Sequence, residues 1–134
     1  MKILLDTHIL IWALTNNLFL SDKAKEIILN ADNEIYYSIV SLWEVEIKHI
    51  SNPKNLTISS EVISHVAELS GYNLLPLTPL SIYKLKKLKR PDSAPRHKDP
   101  FDKILICQAI TDNMILLTHD PLILDYNLSN ILFV

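Results

Sequence analysis

The stretch Ile3-Leu4-Leu5-Asp6 is a short apolar run that ends in a carboxylate. A run of this kind predicts a buried β-strand. The pattern recurs near the other end of the chain, where the apolar residues 114–117 are followed by Thr118, His119 and Asp120. Two predicted strands therefore each lead into an acidic residue.

Between these runs, further predicted strands alternate with helices. Strands are predicted at 35–38, 73–77 and 131–134. Helices are predicted at 8–14, from Ser21-Asp22 to about Ala31, at 40–50, from Ser59 or Ser60 to about Ser70, from Thr78-Pro79 onward, and from Asp99-Pro100 to about Asp112. The alternation predicts a single α/β domain over residues 1–134. Its central parallel sheet has about five strands and carries helices on both faces.

Composition places the chain among ordinary soluble proteins. Of its 134 residues, 49% are hydrophobic and 21% are charged. The single cysteine, Cys107, excludes an intrachain disulfide and fits a reducing compartment. No targeting segment is visible, and no apolar run approaches the ~20 residues that a membrane helix needs. We therefore expect a cytoplasmic protein without membrane association.

Charge is distributed unevenly along the chain. Residues 84–98 hold seven basic residues against one acid, Asp92, so this segment carries +6 and the remainder −8. The basic residues are Lys84, Lys86, Lys87, Lys89, Arg90, Arg96 and Lys98. Such asymmetry indicates a polyanionic partner, although a solvated helix end and loop would give the same pattern.

The predicted topology brings four acids to one edge of the sheet. In open α/β sheets, ligands bind outside the carboxyl ends of the strands. Asp6 and Asp120 lie at two such ends, while Glu44 and Asp102 lie near the starts of two helices. Packed carboxylates repel one another unless cations neutralise them or some are protonated. Ligands that are all oxygen suit Mg²⁺ or Mn²⁺ rather than zinc.

Each acid also has a purely structural interpretation. Asp99 and Asp120 both precede a proline and are plausible helix N-caps, and Asp102 completes a pattern like a capping box after Asp99. Glu44 competes with Glu46, because residues two apart on a helix point ~200° apart and only one can enter the site. Periodicity does not choose between them.

Four blocks of sequence together resemble the PIN-domain family, and most closely its VapC-type toxins. They are residues 4–8 (Leu-Leu-Asp-Thr-His), 38–48 (Ser-Ile-Val-Ser-Leu-Trp-Glu-Val-Glu-Ile-Lys), 97–109 (His-Lys-Asp-Pro-Phe-Asp-Lys-Ile-Leu-Ile-Cys-Gln-Ala) and 117–120 (Leu-Thr-His-Asp). The blocks span nearly the whole chain in the family's order and spacing. The third block is the most specific.

The resemblance implies a three-layer PIN-like fold and an endoribonuclease that depends on Mg²⁺ or Mn²⁺. Such a protein is usually the toxin of a toxin–antitoxin pair, forms a homodimer and is inhibited by a cognate antitoxin protein. The resemblance carries the family's catalytic and metal-binding acids onto Asp6, Glu44, Asp102 and Asp120, and so selects Glu44 over Glu46. One departure is His119, at a position where family members often carry Arg.

Accessory roles are also expected. Asp99 is either a further site acid or only the cap, Thr7 and Thr118 orient ligands or water, and Arg96 and Lys98 bind the RNA backbone. Two alternatives stay open. An aspartyl-phosphate-type phosphatase would need a second Asp where this chain has His8. A non-catalytic RNA-binding module on the same fold would not need four intact acids.

Overall fold

The computed structural model describes residues 1–134 and contains one five-stranded sheet. The strands are β1 (Lys2–Leu5), β2 (Glu34–Ser38), β3 (Asn73–Leu75), β4 (Ile115–Thr118) and β5 (Ile131–Phe133). The helices are α1 (Thr7–Leu14), α2 (Asp22–Leu29), α3 (Ile39–Ser51), α4 (Ser60–Leu69), α5 (Pro79–Tyr83), α6 (Pro100–Thr111) and α7 (Pro121–Leu124), with a 3₁₀ turn at Leu85–Lys87. The predicted alternation of strands and helices is confirmed.

All strand pairs are parallel, as predicted, and the order across the sheet is β3-β2-β1-β4-β5. The central strand β1 is paired on both sides, with Leu4 opposite Tyr36 of β2 and Leu116 of β4. From β1 the chain adds β2 and β3 on one side of the sheet, and then β4 and β5 on the other side. The carboxyl ends of β1 and β4 are therefore the topological switch point, where open α/β sheets bind ligands.

Side chains alternate across the strands and fill a hydrophobic core on each face of the sheet. On one face, Ile3 and Leu5 of β1 pack in a core that includes residues of α1, α2 and α4. On the other face, Leu4 and Leu116 pack in a core with α6 and α7. Helix, sheet and helix form the three layers that the sequence predicts.

Helix α3 does not turn its apolar stripe toward the core. The stripe that predicts this helix comprises residues 40, 43, 47 and 50, but Trp43, Ile47 and Ile50 are exposed and only Val40 is buried. Its buried residues are Val40, Ser41, Glu44 and Val45. A carboxylate on α3 consequently faces the interior, and an apolar surface faces outward.

Other elements differ from the predictions in length. Strand β3 ends at Leu75 rather than at residue 77, and the next residue is Pro76, whose nitrogen has no hydrogen to donate to the ladder. The helix that begins at Pro79 is only five residues long. Helix α7 follows Asp120 in a region where only a cap was anticipated. No helix of the protein is both long and apolar enough to cross a membrane.

Candidate active site

Asp6 and Asp120 lie together at the switch point of the sheet. Asp6 directly follows β1 and donates its backbone N–H to the Leu117 carbonyl of β4 at 3.0 Å. The buried Thr118 hydroxyl donates to Asp6 Oδ2 and accepts from the backbone N–H of Asp120 at 3.0 Å. Thr118 therefore fixes the two acids relative to each other.

Both acids also cap helices, so the structural and functional interpretations are compatible. Asp6 Oδ1 accepts from Ile9 N at 3.0 Å at the start of α1, and Asp120 Oδ1 accepts from Leu122 N at 2.9 Å at the start of α7. Each cap occupies one carboxylate oxygen. The second oxygen of Asp120 has no hydrogen-bond partner in the protein and is free for a ligand.

Glu44 projects from α3 into the interior and is only 1% exposed. Its Oε2 accepts from Lys48 Nζ at 2.5 Å, while its Oε1 is buried with no partner. A buried polar atom without a partner costs about 1–3 kcal/mol, and more when it is charged. Glu44 therefore offers a buried oxygen that could bind a cation and that no group of the protein satisfies.

Glu46 points away from the acids. It accepts from the backbone N–H and the hydroxyl of Ser60 at the start of α4, and these hydrogen bonds lower the pKa of Glu46. The geometry thus separates the two glutamates that periodicity left equivalent. Glu44 joins the acidic cluster, and Glu46 joins α3 to α4.

Asp102 is the acid on which the charges of the other acids act together. Burial raises the pKa of this carboxyl to about 8, and the charges of Asp99, Asp6, Glu44 and Asp120 contribute in that order. The side chain lies in the first turn of α6, and its only hydrogen-bond partner is His97 Nε2, 3.1 Å from Oδ2. All four acids carried over from the family, together with Asp99, therefore act electrostatically on one locus.

Asp99 and Thr7 have structural contacts. Asp99 Oδ1 accepts from Phe101 N at 2.9 Å and from Asp102 N at 3.3 Å, so it caps α6 while its charge still reaches Asp102. The hydroxyl of Thr7 is 2.9 Å from Ser41 Oγ and joins α1 to α3. Of the two threonines expected to orient ligands, only Thr118 contacts the acids.

A cleft of about 250 Å³ opens beside Asp6 and Asp120. The rest of its lining is largely aromatic, comprising His8, Trp12, His119 and Pro121. The Trp12 and His119 rings are 5.7 Å apart between centroids, and His119 stacks on Phe133 at 5.1 Å. The acids therefore line one part of a cleft whose other walls include three aromatic side chains.

The basic loop between Arg90 and Lys98 folds back beside this site. Arg90 pairs with Asp125 Oδ2 at 2.9 Å and lies over the ring of Tyr126 at 5.3 Å. Further along the loop His97 is buried, whereas Arg96 and Lys98 on either side of it are exposed. The loop thus places two exposed basic side chains on either side of a residue that contacts Asp102.

Sequence reasoning missed His97 as a member of the site. Its only signals are its position five residues before Asp102 and its place among the charged neighbours Arg96, Lys98 and Asp99. A histidine in a polar loop resembles a surface residue, and only the fold shows it buried. Ligand atoms of His97, Asp102 and Asp120 lie within 4.8 Å of one another.

The acidic cluster fits a divalent cation. Glu44 Oε1 is buried without a partner, and one oxygen each of Asp102 and Asp120 is also free of protein partners. Carboxylate oxygens are the ligands that Mg²⁺ and Mn²⁺ prefer. A cation at this point would also offset the repulsion that raises the pKa of Asp102.

The model of the PIN domain family matches residues 3–127. The chain belongs to the PIN domain family. The resemblance noted in the sequence is thereby confirmed. PIN-domain proteins are nucleases and generally use divalent metals. No curated protein matches the sequence closely enough to be informative.

Solved PIN structures share the fold of this chain. The VapBC2 complex of Rickettsia felis, bound to a DNA fragment from its promoter, aligns with a TM-score of 0.65 and 17% identity over 100% of this chain and 98% of that one. VapBC-1 of nontypeable Haemophilus influenzae aligns with a TM-score of 0.54 and 19% identity over 90% and 87% of the two chains. At such identities the likeness shows the fold alone.

Proposed function

We propose that this PIN protein is an endoribonuclease that uses Mg²⁺ or Mn²⁺ and acts as the toxin of a toxin–antitoxin pair. One observation supports the chemistry above all others. Glu44, whose charge acts on Asp102 together with those of Asp6 and Asp120, presents a buried oxygen that no group of the protein satisfies.

In this proposal Asp6 and Asp120 would hold the cation, and Glu44 and Asp102 would contribute as further ligands, directly or through water. A bound cation would position the phosphodiester, lower the pKa of a water molecule and stabilise charge on the leaving oxygen. Thr118 holds Asp6 in place and keeps its carboxylate next to that of Asp120.

Other residues prepare the site for the cation and the substrate. Because the pKa of Asp102 is about 8, this group carries a proton near neutral pH, and a cation must displace that proton to use the carboxylate. Lys48 neutralises one oxygen of Glu44. Arg96 and Lys98 are exposed beside the site and are proposed to contact phosphates of the RNA.

The test is RNA cleavage by the purified chain. We expect cleavage with Mg²⁺ or Mn²⁺, none with EDTA, and recovery when the metal is restored. Hydrolysis of a phosphomonoester without RNA cleavage would favour the phosphatase alternative. RNA binding without cleavage under any metal condition would favour the binding module.

A toxin of this kind would be inhibited by an antitoxin protein. The fold likeness to chains of VapBC complexes supports this part of the proposal. A groove of about 470 Å³ lies beside the acidic cleft and is lined by Ile11, Trp12 and Lys48 among others, whereas Ile9 and Leu10 fill the core. An amphipathic helix with a basic residue would fit this groove and reach the acids.

Co-expression with the neighbouring gene should give a complex that cleaves RNA more slowly than the free chain. Failure to associate, or undiminished cleavage, would contradict inhibition by occlusion.

A homodimer is the second proposed assembly. The outward face of α3 presents Ile39, Trp43, Ile47 and Ile50, and Trp43 is 60% exposed with its ring edge-on to Phe101 at 5.1 Å. An apolar surface of this kind is typical of protein–protein contacts. Light scattering should therefore give twice the mass of the 15.4 kDa chain, and Trp43→Asp should halve it. A wild-type protein that is monomeric at high concentration would contradict the proposal.

A further inference from the structure

His97 lies in the basic loop that precedes α6, yet its side chain is buried and the residue is only 5% exposed. Both ring nitrogens have polar partners. Nδ1 is 2.7 Å from the hydroxyl of Tyr126, and Nε2 is 3.1 Å from Asp102 Oδ2. The imidazole therefore connects a tyrosine after α7 to an acid in the first turn of α6.

These contacts also determine which ring nitrogen of His97 carries the proton. A neutral imidazole has one donor and one acceptor nitrogen, and a carboxylate only accepts. When Asp102 is ionised, Nε2 must donate to it and Nδ1 must accept from the Tyr126 hydroxyl. Tyr126 is held in turn by the Arg90 guanidinium over its ring and by an edge-on contact with His97. Each link fixes the orientation of the next.

We propose that His97 is a positioning residue for the metal site, one that holds the Asp102 carboxylate so that its other oxygen stays available to a cation. The inference rests on the proposed function, since it assigns a role within the same site. Outer partners of this type orient metal-ligating side chains and are often as important as the ligands themselves.

The need for such a residue follows from the charges around Asp102. Asp6, Glu44, Asp99 and Asp120 all repel an ionised Asp102. No other protein group hydrogen-bonds the Asp102 side chain, so without the Nε2 donor its carboxylate is free to rotate away from the cluster. A single directed hydrogen bond from a buried, rigidly held ring opposes that rotation.

The experiment compares His97→Met with His97→Gln. The two substituted side chains have similar length and volume, but only the glutamine amide supplies a donor near the position of Nε2. Mn²⁺ affinity is measured from the electron paramagnetic resonance signal of free Mn²⁺, together with kcat and KM for RNA cleavage. Thermal unfolding without metal checks that each variant is folded. His65→Met, which removes an exposed imidazole from α4, is the matched control.

His97→Met should weaken Mn²⁺ binding by about 10- to 100-fold, the range found for outer partners of metal ligands. It should lower kcat at saturating RNA with little change in KM. His97→Gln should recover most of the affinity, and Tyr126→Phe should cause a smaller loss because the donor to Asp102 remains. The control should bind Mn²⁺ as the wild type does.

Three results would overturn the inference, and they are distinguishable. If the wild type binds Mn²⁺ and folded His97→Met binds it equally well, His97 only packs the loop and the proposed function stands. If glutamine and methionine weaken binding equally, the hydrogen bond is not what matters. A wild type that binds no Mn²⁺ would refute the inference and the proposed metal chemistry together.

Discussion

Replacing Asp102 by asparagine should stabilise the metal-free protein, and by more as the pH rises. Burial and the charges of neighbouring acids raise the pKa of Asp102 from an ordinary value of 3.8 to about 8. The unfolded chain thus releases this proton at a lower pH than the folded chain does. Between the two pKa values the folded state binds more protons at this site, so the contribution of Asp102 to stability is highest below pH 3.8 and is lost as the pH rises toward 8.

The magnitude follows from the two pKa values. At about 1.4 kcal/mol for each pH unit between them, the folded protein loses about 4 kcal/mol at pH 7 and about 1.7 kcal/mol at pH 5 relative to strongly acidic solution. Asparagine is neutral in both states and removes this dependence. The advantage of Asp102→Asn over the wild type should therefore grow by about 2–3 kcal/mol from pH 5 to pH 7.

Urea unfolding at pH 5, 6 and 7 in the presence of EDTA measures this difference in the free energy of unfolding. Asp112→Asn removes an exposed carboxylate at the opposite end of α6 and controls for the loss of one negative charge. If the difference between Asp102→Asn and the wild type does not change with pH, the carboxyl is not held protonated by its surroundings. The electrostatic account of the cluster would then be wrong.

Three further predictions concern the site and its surroundings. Asp6→Asn should abolish RNA cleavage and any growth arrest, because an amide is a poor metal ligand. It should not lower the unfolding midpoint, because one repelling charge is removed. Full activity of this variant would remove Asp6 from the mechanism. Glu44→Gln should abolish metal-dependent cleavage, whereas Glu46→Gln should leave cleavage intact and lower the free energy of unfolding, because it weakens the hydrogen bonds from Ser60 at the start of α4. The reverse pattern would exchange the roles of the two residues. Filter binding measures how the affinity for single-stranded RNA falls with salt. Changing Arg96 and Lys98 together to glutamine should reduce the slope of log affinity against log salt concentration by about 1.4. An unchanged slope would show that the loop is only solvated.

Strand patterns were sufficient to predict that Asp6 and Asp120 lie at the carboxyl edge of a parallel sheet. They did not predict the order of the strands, and the pairing of β1 with β4 is what makes the two strand ends adjacent. Hydrophobic periodicity could not choose between Glu44 and Glu46, because it assumes that the apolar stripe of α3 faces the core. The stripe faces outward instead, so the choice came from the family resemblance alone.

Tertiary contacts outside the strands were less predictable. Thr7 follows Asp6 directly, but a step of one residue at the start of a helix rotates the side chain by about 100°, and its hydroxyl meets Ser41 rather than the acids. His97 reaches Asp102 only because Arg90 holds the loop against Asp125 and Tyr126. Contacts of this kind join residues about 30 positions apart and leave no periodic signal.

The fold tolerates this repelling cluster because most of its acids lie at the starts of helices. Asp6 caps α1 and Asp99 caps α6, and Asp102 lies in the first turn of α6, where unpaired N–H groups and the helix dipole favour negative charge. Glu44 lies within α3 and has no such support, and its nearest compensation is Lys48. A cation placed among the four would therefore relieve Glu44 most. Loss of metal should accordingly destabilise α3 first, and amide exchange in α3 should slow more than in α1 or α6 when Mn²⁺ is added. Equal protection of α1, α3 and α6 would show instead that the cation acts on the whole sheet edge.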